Sequence, residues 1–464
     1  MDDFEDFKKY FNCDFWKAFK KNNFIFNVPK TESARLEIVT EVYKEIVSKK
    51  YFPLPPERFI DMDKGNCVTR MIPVFHLRDY IVYYYCIKKL EEKIAINRVQ
   101  NTFGGWSLGG LLRKSEDEEI TRRKEDYDSY EDFLADVNGI SVGSYSFNPQ
   151  GWVNAYGELN SKLFATAKES QFNFLVEMDV ANYYDCIRLD ILENNIRAVS
   201  DSKDIGVINL LFIFLNYWNR ENNDFNKQTV GLPQDAMSDC SRILSNFYLQ
   251  SYDKYAFELC EKNKARYLRY SDDQFIFAQD SETIDYLVFK LSKKLNSFGL
   301  SINQKKVKKM SSKEIIRYRN LDIFSIIVDD DDKNNVKKVE RFAKKCLKLH
   351  SDPIQLRKTR DGGFSLIRRL LNCNAFREID GKVKNSILKI ALSEEYLKKS
   401  DSYSLSKIYK VLPTKVVIFY LNKLDSLSEK IIHNYFHYQL LNFYVEHKKD
   451  TKKVKSRIKM LSKI

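Results

Sequence analysis

RYSDDQFIF, residues 269–277, sets two adjacent carboxylates, Asp272 and Asp273, inside an aromatic and aliphatic run. Apolar runs of this length read as strands, and uncompensated charge in a strand's core is expensive. The run divides around its acids. RYLRY before them and QFIFAQ after them predict the two strands of a hairpin, with Ser271, Asp272 and Asp273 at its turn. Carboxylates at such a turn protrude rather than bury. Divalent-metal chemistry needs oxygens converging from separate elements, so another acid is expected on a neighbouring strand. Asp179 meets that need: it ends the apolar strand NFLVEMDV and is followed by ANYYD. Two Mg²⁺ ions about 4 Å apart, shared between Asp179 and Asp272, would activate an attacking hydroxyl and stabilise a leaving pyrophosphate. Octahedral Mg²⁺ prefers few protein carboxylates plus substrate phosphates, which suits so small an acidic set, and Mn²⁺ is a substitute.

Composition bounds the class. The chain has 464 residues, room for about three domains by length alone and easily for a large core. With 44% hydrophobic and 30% charged residues it reads as soluble and globular rather than disordered. Lys and Arg number 77 against 64 Asp and Glu, and the resulting +13 favours an anionic partner: nucleic acid, nucleotides or a membrane surface. Charge does not choose among them. The eight cysteines contain no CxxC pair, which indicates free thiols in a reducing cytosol rather than a disulfide framework or a zinc site. His433 and His437, one helical turn apart, lack a neighbouring Glu or a third ligand and read as packing residues. The N-terminal MDDFEDFKKYF is acidic and aromatic, unlike a signal peptide. IGVINLLFIFLNYW, 205–218, is interrupted by Asn209 and Asn216 and too short to span a bilayer, so it predicts a core helix and no membrane association.

Three zones follow one another along the chain. Residues 1 to about 110 mix helical patterns with PLPPERF and end in the glycine-rich FGGWSLGG; the charged stretch 114–133 then reads as a solvated helix or insertion. From about 170 to 330, strands alternate with helices, among them a helix over QDAMSDCSRILSNFYLQSY, 234–252. DDDDK, 329–333, predicts an exposed loop at a domain edge. Beyond it nearly everything is helical, with Ile432, Phe436, Leu440 and Tyr444 expected on one helical face. The tail 448–464 carries eight basic residues and one acid, as a solvated terminal helix or a nucleic-acid contact. The expected fold class is α+β: residues 1–330 form one domain with its core at about 170–330, and 331–464 form an α-helical domain of stacked helix pairs.

Between the two acidic blocks lies GLPQDAMSDCSRILSN, 231–246. Asp179 followed by two aromatics and Asp185, then LPQ…S…LSN, then RYSDD, resembles motifs A, B and C of reverse transcriptases in their order. FGLSINQKKVKK, 298–309, is similar to motif D, and KGNCVTRMIPVFHLRDYIV, 64–82, to the fingers block. The resemblance covers roughly residues 50 to 310 and implies right-hand polymerase fingers and palm. Residue by residue, it implies that Asp179 and Asp272 bind metal and that Asp273 supports them. Tyr184 would exclude a ribose 2′-hydroxyl by a clash, favouring dNTPs. Gln234 would lie along the nascent base pair or sugar, Lys64 and Arg70 would grip the triphosphate, and Lys306 would protonate leaving pyrophosphate, with Lys305 the adjacent alternative.

Template-copying relatives follow LPQ with Gly and the later Ser with Pro, whereas this chain has Asp235 and Asp239. A carboxylate there would repel phosphate and relax template handling, or simply favour a helix N-terminus. With its all-helical C-terminal region, the chain resembles the bacterial abortive-infection (Abi) phage-defence reverse transcriptases. That resemblance implies a HEAT-like C-terminal domain, a trimer or hexamer, a bacterial cytoplasmic location, and untemplated DNA synthesis primed from a protein hydroxyl, leaving the DNA covalently attached. Tyr10 and Tyr51 are aromatic-flanked candidates for the priming residue. The alternatives are a template-copying enzyme of retron or diversity-generating type and a catalytically idle polymerase-fold scaffold.

Overall fold

The computed structural model describes residues 3–12, 15–16, 19, 28–65, 67–95, 98–106, 108, 151–234, 239–328 and 330–461. The charged stretch 114–133 and Asp235 lie outside them. Two compact units divide the chain: Met1–Phe59, Ile72–Lys162 and Lys168–Ser312 form the first, and Ile60–Met71, Leu163–Ala167 and Lys313–Ile464 the second.

Apolar runs build the centre of the first unit. Strands β3 (Thr102–Phe103), β4 (Phe174–Asp179), β5 (Arg266–Tyr270), β6 (Asp273–Ala278) and β7 (Lys308–Ser311) form one sheet in the order β3-β5-β6-β4-β7. Pairing is antiparallel except between β3 and β5. β4 and β6 each have strands on both sides and bury five consecutive residues, which is why they read as near-continuous apolar runs rather than as alternating ones. Helices Gln250–Lys262 and Ser281–Asn296 pack on this sheet. The second of these starts where Asp280 accepts from the Thr283 N–H, and it turns Ile284, Leu287, Leu291 and Leu295 inward. The stretch read as a core helix is one: Ile205–Tyr217 is buried on several sides and packs against helix Leu77–Ala95, where the rings of Tyr83 and Phe214 lie 4.7 Å apart. Aromatics of the acidic N-terminus belong to the core as well, with Phe7 and Phe15 against Tyr85 and Tyr84.

From Lys313 onward the described residues are helical or irregular, with no strand. Side-chain oxygens of Asn335, Asp352, Asp380, Ser393 and Asp401 cap the helices that follow them, so these polar punctuation residues are helix starts. One continuous core, including Phe342, Leu370, Ile387, Leu405, Tyr420, Leu440 and Phe443, unites these helices. No helix among the described residues is long and apolar enough to cross a membrane.

Three local expectations fail for identifiable reasons. DDDDK is not an exposed loop: residues 330–334 form a short helix, because buried Asp332 accepts from the Val328 N–H at 2.9 Å and pairs with Lys338. The helix expected over 234–252 is two, Asp239–Tyr248 and Gln250–Lys262, broken at Leu249. Helix Asn434–Glu446 begins after Ile432, which is 63% exposed, while Phe436, Leu440 and Tyr444 do share its buried side. Tyr10 and Tyr51 are both buried, and the Tyr51 hydroxyl donates to Asp79 at 2.8 Å, so neither offers a free hydroxyl in this fold.

Asp79 lies fully buried at the start of helix Leu77–Ala95, accepting from Tyr51 and from the Leu54 N–H. Burial pushes its carboxyl up to about 6, against the Tyr51 hydrogen bond and nearby Arg78. Its proton is therefore held more tightly in the folded chain than in the unfolded one, so stability falls as pH rises from 3.8 to about 6. Asp79→Asn, which cannot ionise, should gain on the wild type by about 3 kcal/mol across that window. Urea unfolding of both chains at intervals between pH 4 and 7 measures the gap; a gap that stays constant would show that Asp79 titrates like an exposed acid.

Candidate active site

The antiparallel register of β4 and β6 sets Asp179 directly opposite Asp273. Side chains paired in this way share one face, and like charges there repel. Asp272 joins them from the two-residue turn linking β5 and β6, since Tyr270 and Asp273 are the last pair of that hairpin. Burial, then Asp273, then Asp179 hold the Asp272 carboxyl well above the ordinary carboxylate range. Asp179, 6% exposed, has two neighbours on the segment after helix Ser281–Asn296: the Asn303 amide at 3.3 Å and the Lys306 ammonium at 3.1 Å. Backbone bonds Asn303 N–H to Asp179 O (2.7 Å) and Ala181 N–H to Ser301 O (2.8 Å) hold that segment beside the end of β4. Lys306, not Lys305, is thus the lysine that meets Asp179.

A cluster of three carboxylates with one partly exposed lysine is short of positive charge, and a divalent cation is the species that such a donor set fits. Among the described residues no three of His, Cys, Asp and Glu form a ready-made metal cage.

The turn beneath Asp272 is strained and clamped. Ser271 has φ +54°, a conformation that costs a non-glycine residue about 1–2 kcal/mol. Its carbonyl accepts from the Arg269 guanidinium at 2.8 Å. Arg269 is fully buried and makes a forked pair with buried Asp253 at 2.7 and 2.6 Å, and it also donates to Asn246 at 2.8 Å. The Tyr267 hydroxyl donates to the same Asp253, and the Tyr252 hydroxyl to Gln274 on β6. Asn246 donates in turn to the Gly105 carbonyl at 2.8 Å. Gly104, φ +125°, has no room for a side chain, because a Cβ there would lie 2.9 Å from the Asn246 amide. This network escaped the sequence reading, although Arg269 opens RYSDD, Asn246 ends LSN and Gly104 lies in FGGW. Which of these residues would meet was not written in their spacing.

Tyr184 and Gln234 are brought together. The Leu232 N–H donates to the Tyr184 carbonyl at 2.9 Å and the Gly231 N–H to the Ile187 carbonyl at 2.8 Å, laying LPQ along the short helix Tyr183–Cys186. Gln234 reaches Asp185 at 3.3 Å, and Tyr184 is half-buried against Tyr183. Asp239 stands in the first turn of its helix, paired with Arg242 at 2.5 Å. Burial pushes its carboxyl up to about 6, with Arg242 opposing. Lys64 and Arg70 lie exposed on the hairpin of β1 (Arg58–Asp63) and β2 (Thr69–Val74), whose tip belongs to the second unit. That tip is fixed within its unit by Asn434, which accepts from the Asp61 N–H at 2.7 Å, and by His433, 3.1 Å from the Thr69 hydroxyl. His437 bonds the Ile431 carbonyl at 3.0 Å.

The antiparallel strands, the acidic turn and the flanking helices define a reverse-transcriptase-like mixed α/β fold. Residues 128–327 match the family model described as "Reverse transcriptase (RNA-dependent DNA polymerase)", so the chain carries a reverse transcriptase domain. No curated protein matches the sequence. Similar solved structures include apo telomerase from Candida tropicalis, at 10% identity and TM-score 0.34, covering 85% of this chain and 71% of that one. Telomerase from Candida albicans, in complex with a TWJ fragment of telomeric RNA, matches at 15% identity and TM-score 0.33, covering 84% and 66%. A likeness at that level says nothing of what this chain does.

The Arg269–Asp253 pair should be strongly coupled. Removing one partner leaves a buried charge unpaired, so Arg269→Met is expected to lose about 3–5 kcal/mol, while Arg269→Met with Asp253→Leu regains most of it. Urea unfolding of the double-mutant cycle reads this directly. Additive losses would mean that the two side chains act independently.

Proposed function

We propose that this chain is a metal-dependent DNA polymerase extending a 3′-hydroxyl with dNTPs. The observation that carries the reading is the convergence of Asp179, Asp272 and Asp273 at the β4–β6 register and the β5–β6 turn, beside Lys306. Asp179 and Asp272 would hold two Mg²⁺ ions, with Asp273 in support; bound there, the metal supplies activation of the attacking hydroxyl and stabilisation of the leaving pyrophosphate. Tyr184 acts as the steric barrier to a 2′-hydroxyl, and Gln234 lies along the nascent pair. Lys64 and Arg70 bind the triphosphate, and Lys306 donates the proton that pyrophosphate takes up as it leaves.

The finer reading is phage defence by abortive infection. It consists of untemplated, protein-primed synthesis of DNA that stays attached to a trimeric or hexameric enzyme, with a HEAT-like C-terminal domain, in the bacterial cytoplasm. It rests on the resemblance of the LPQ block and of the helical C-terminal region. A second reading, template copying, gains from the Asp239–Arg242 pair: with its partner so close, Asp239 is not a bare charge facing an approaching strand.

Purified protein given labelled dNTPs, Mg²⁺ and no template should acquire label that survives boiling in detergent and is released by protease. Label that appears only with template and primer would select the copying reading. Asp272→Asn should abolish incorporation in either case, by at least about 10³-fold, with unfolding unchanged or slightly more costly. Undiminished activity of that variant in cells would leave only a scaffold role. Tyr184→Ala should admit ribonucleotides, read as the ratio of NTP to dNTP incorporation; an unchanged ratio would remove Tyr184 from the sugar site.

A further inference from the structure

The positive charge of this chain does not belong to its polymerase domain. Residues 313–464 hold 34 Lys and Arg against 18 Asp and Glu, a net +16, leaving 43 against 46 in residues 1–312, a net −3. Within the helical unit part of that charge is ordered along helix Val336–His350. Val339, Phe342, Ala343, Cys346 and Leu349 are buried on one side of it. The opposite side carries Lys337, Arg341, Lys344, Lys345 and Lys348, which with Glu340 line a shallow concavity of about 520 Å³. Lys344 pairs with Glu340 at 2.6 Å, and Lys345 lies 3.6 Å from Asp322. Asp380, the remaining acid acting on Lys344, is occupied as a helix cap. Lys337, Arg341 and Lys348 are exposed and have no ion pair or hydrogen bond among the described residues.

We propose that this basic face binds the phosphate backbone of nucleic acid. Lys337 to Lys348 spans about 16 Å at 1.5 Å per residue, the length of about five phosphates along one strand of a duplex. A lipid surface fits the same charge poorly: a helix lying in a membrane interface inserts its apolar side, and here that side is already used in the core. None of these residues is among those assigned to the proposed active site.

The test is fluorescence anisotropy of a labelled single-stranded oligonucleotide with the full-length chain, carrying Asp272→Asn so that nothing is incorporated. Adding Lys337→Gln, Arg341→Gln and Lys348→Gln should weaken binding at least tenfold and reduce the slope of log affinity against log salt by about 2. These are exposed positions, so an unchanged melting temperature checks the fold. Unchanged affinity and salt slope would overturn the proposal. So would weakening seen only when the tail lysines are changed (Lys452→Gln, Lys453→Gln, Lys455→Gln and Lys459→Gln). Loss of binding to phosphatidylserine vesicles with oligonucleotide binding intact would overturn it too, and assign the face to lipid. The triple variant with Asp272 restored should still incorporate dNTPs; that measurement judges the polymerase reading separately, whichever way the anisotropy falls.

Discussion

Buried Arg269 is the residue on which the placement of the Asp272 turn depends. Its guanidinium ties together β5, the helix bearing Asp253, the helix bearing Asn246 and the strained turn that presents Asp272. Burying an ion pair is seldom the cheapest way to stabilise a core, since apolar residues of the same volume often serve as well. What apolar residues cannot do is hold a carbonyl in place. Arg269 spends one N–H on the Ser271 carbonyl, and that bond fixes the turn in a conformation serine otherwise avoids. Three other N–H groups bond Asp253 and Asn246, which are held in turn by Tyr267 and Gly105, so the guanidinium has little freedom to swing away.

With the turn held, the register of β4 against β6 does the rest. It opposes Asp179 to Asp273 and leaves three carboxylates with less cation than they need. Lys306 answers part of that charge from a segment that is itself bonded to the backbone of Asp179. The cluster is a local electrostatic cost that sheet pairing enforces. Asp239 shows the opposite case. An acid that looks provocative in the sequence is matched by Arg242 one turn along its own helix.

Charge is divided between the two parts of the chain. The part bearing the carboxylates is slightly acidic, and the helical part carries the whole excess of basic residues. In the helical unit the distribution follows from amphipathic packing: each helix commits one side to the shared core, and polar residues collect on the other. On helix Val336–His350 that outer side becomes a largely basic row, interrupted by Glu340.

Much of the sheet was legible beforehand, because β4, β5 and β6 are short apolar runs and the acids punctuate them at a turn. Motif order also pointed to Asp179, Asp272 and Asp273 as neighbours, and the register bears out their proximity. At DDDDK a single side-chain contact outweighs local composition: Asp332 turned an acidic loop into a helix. By itself the sequence determined strands β4, β5 and β6 and the turn that carries Asp272 and Asp273, because periodicity acts over a few neighbouring residues. Tertiary structure alone decided that Arg269 meets Asp253, that Gly104 must make way for Asn246, and that Lys306 rather than Lys305 reaches Asp179. The Gly104–Asn246 and Lys306–Asp179 meetings join residues more than 100 positions apart, and only the folded backbone brings such positions together.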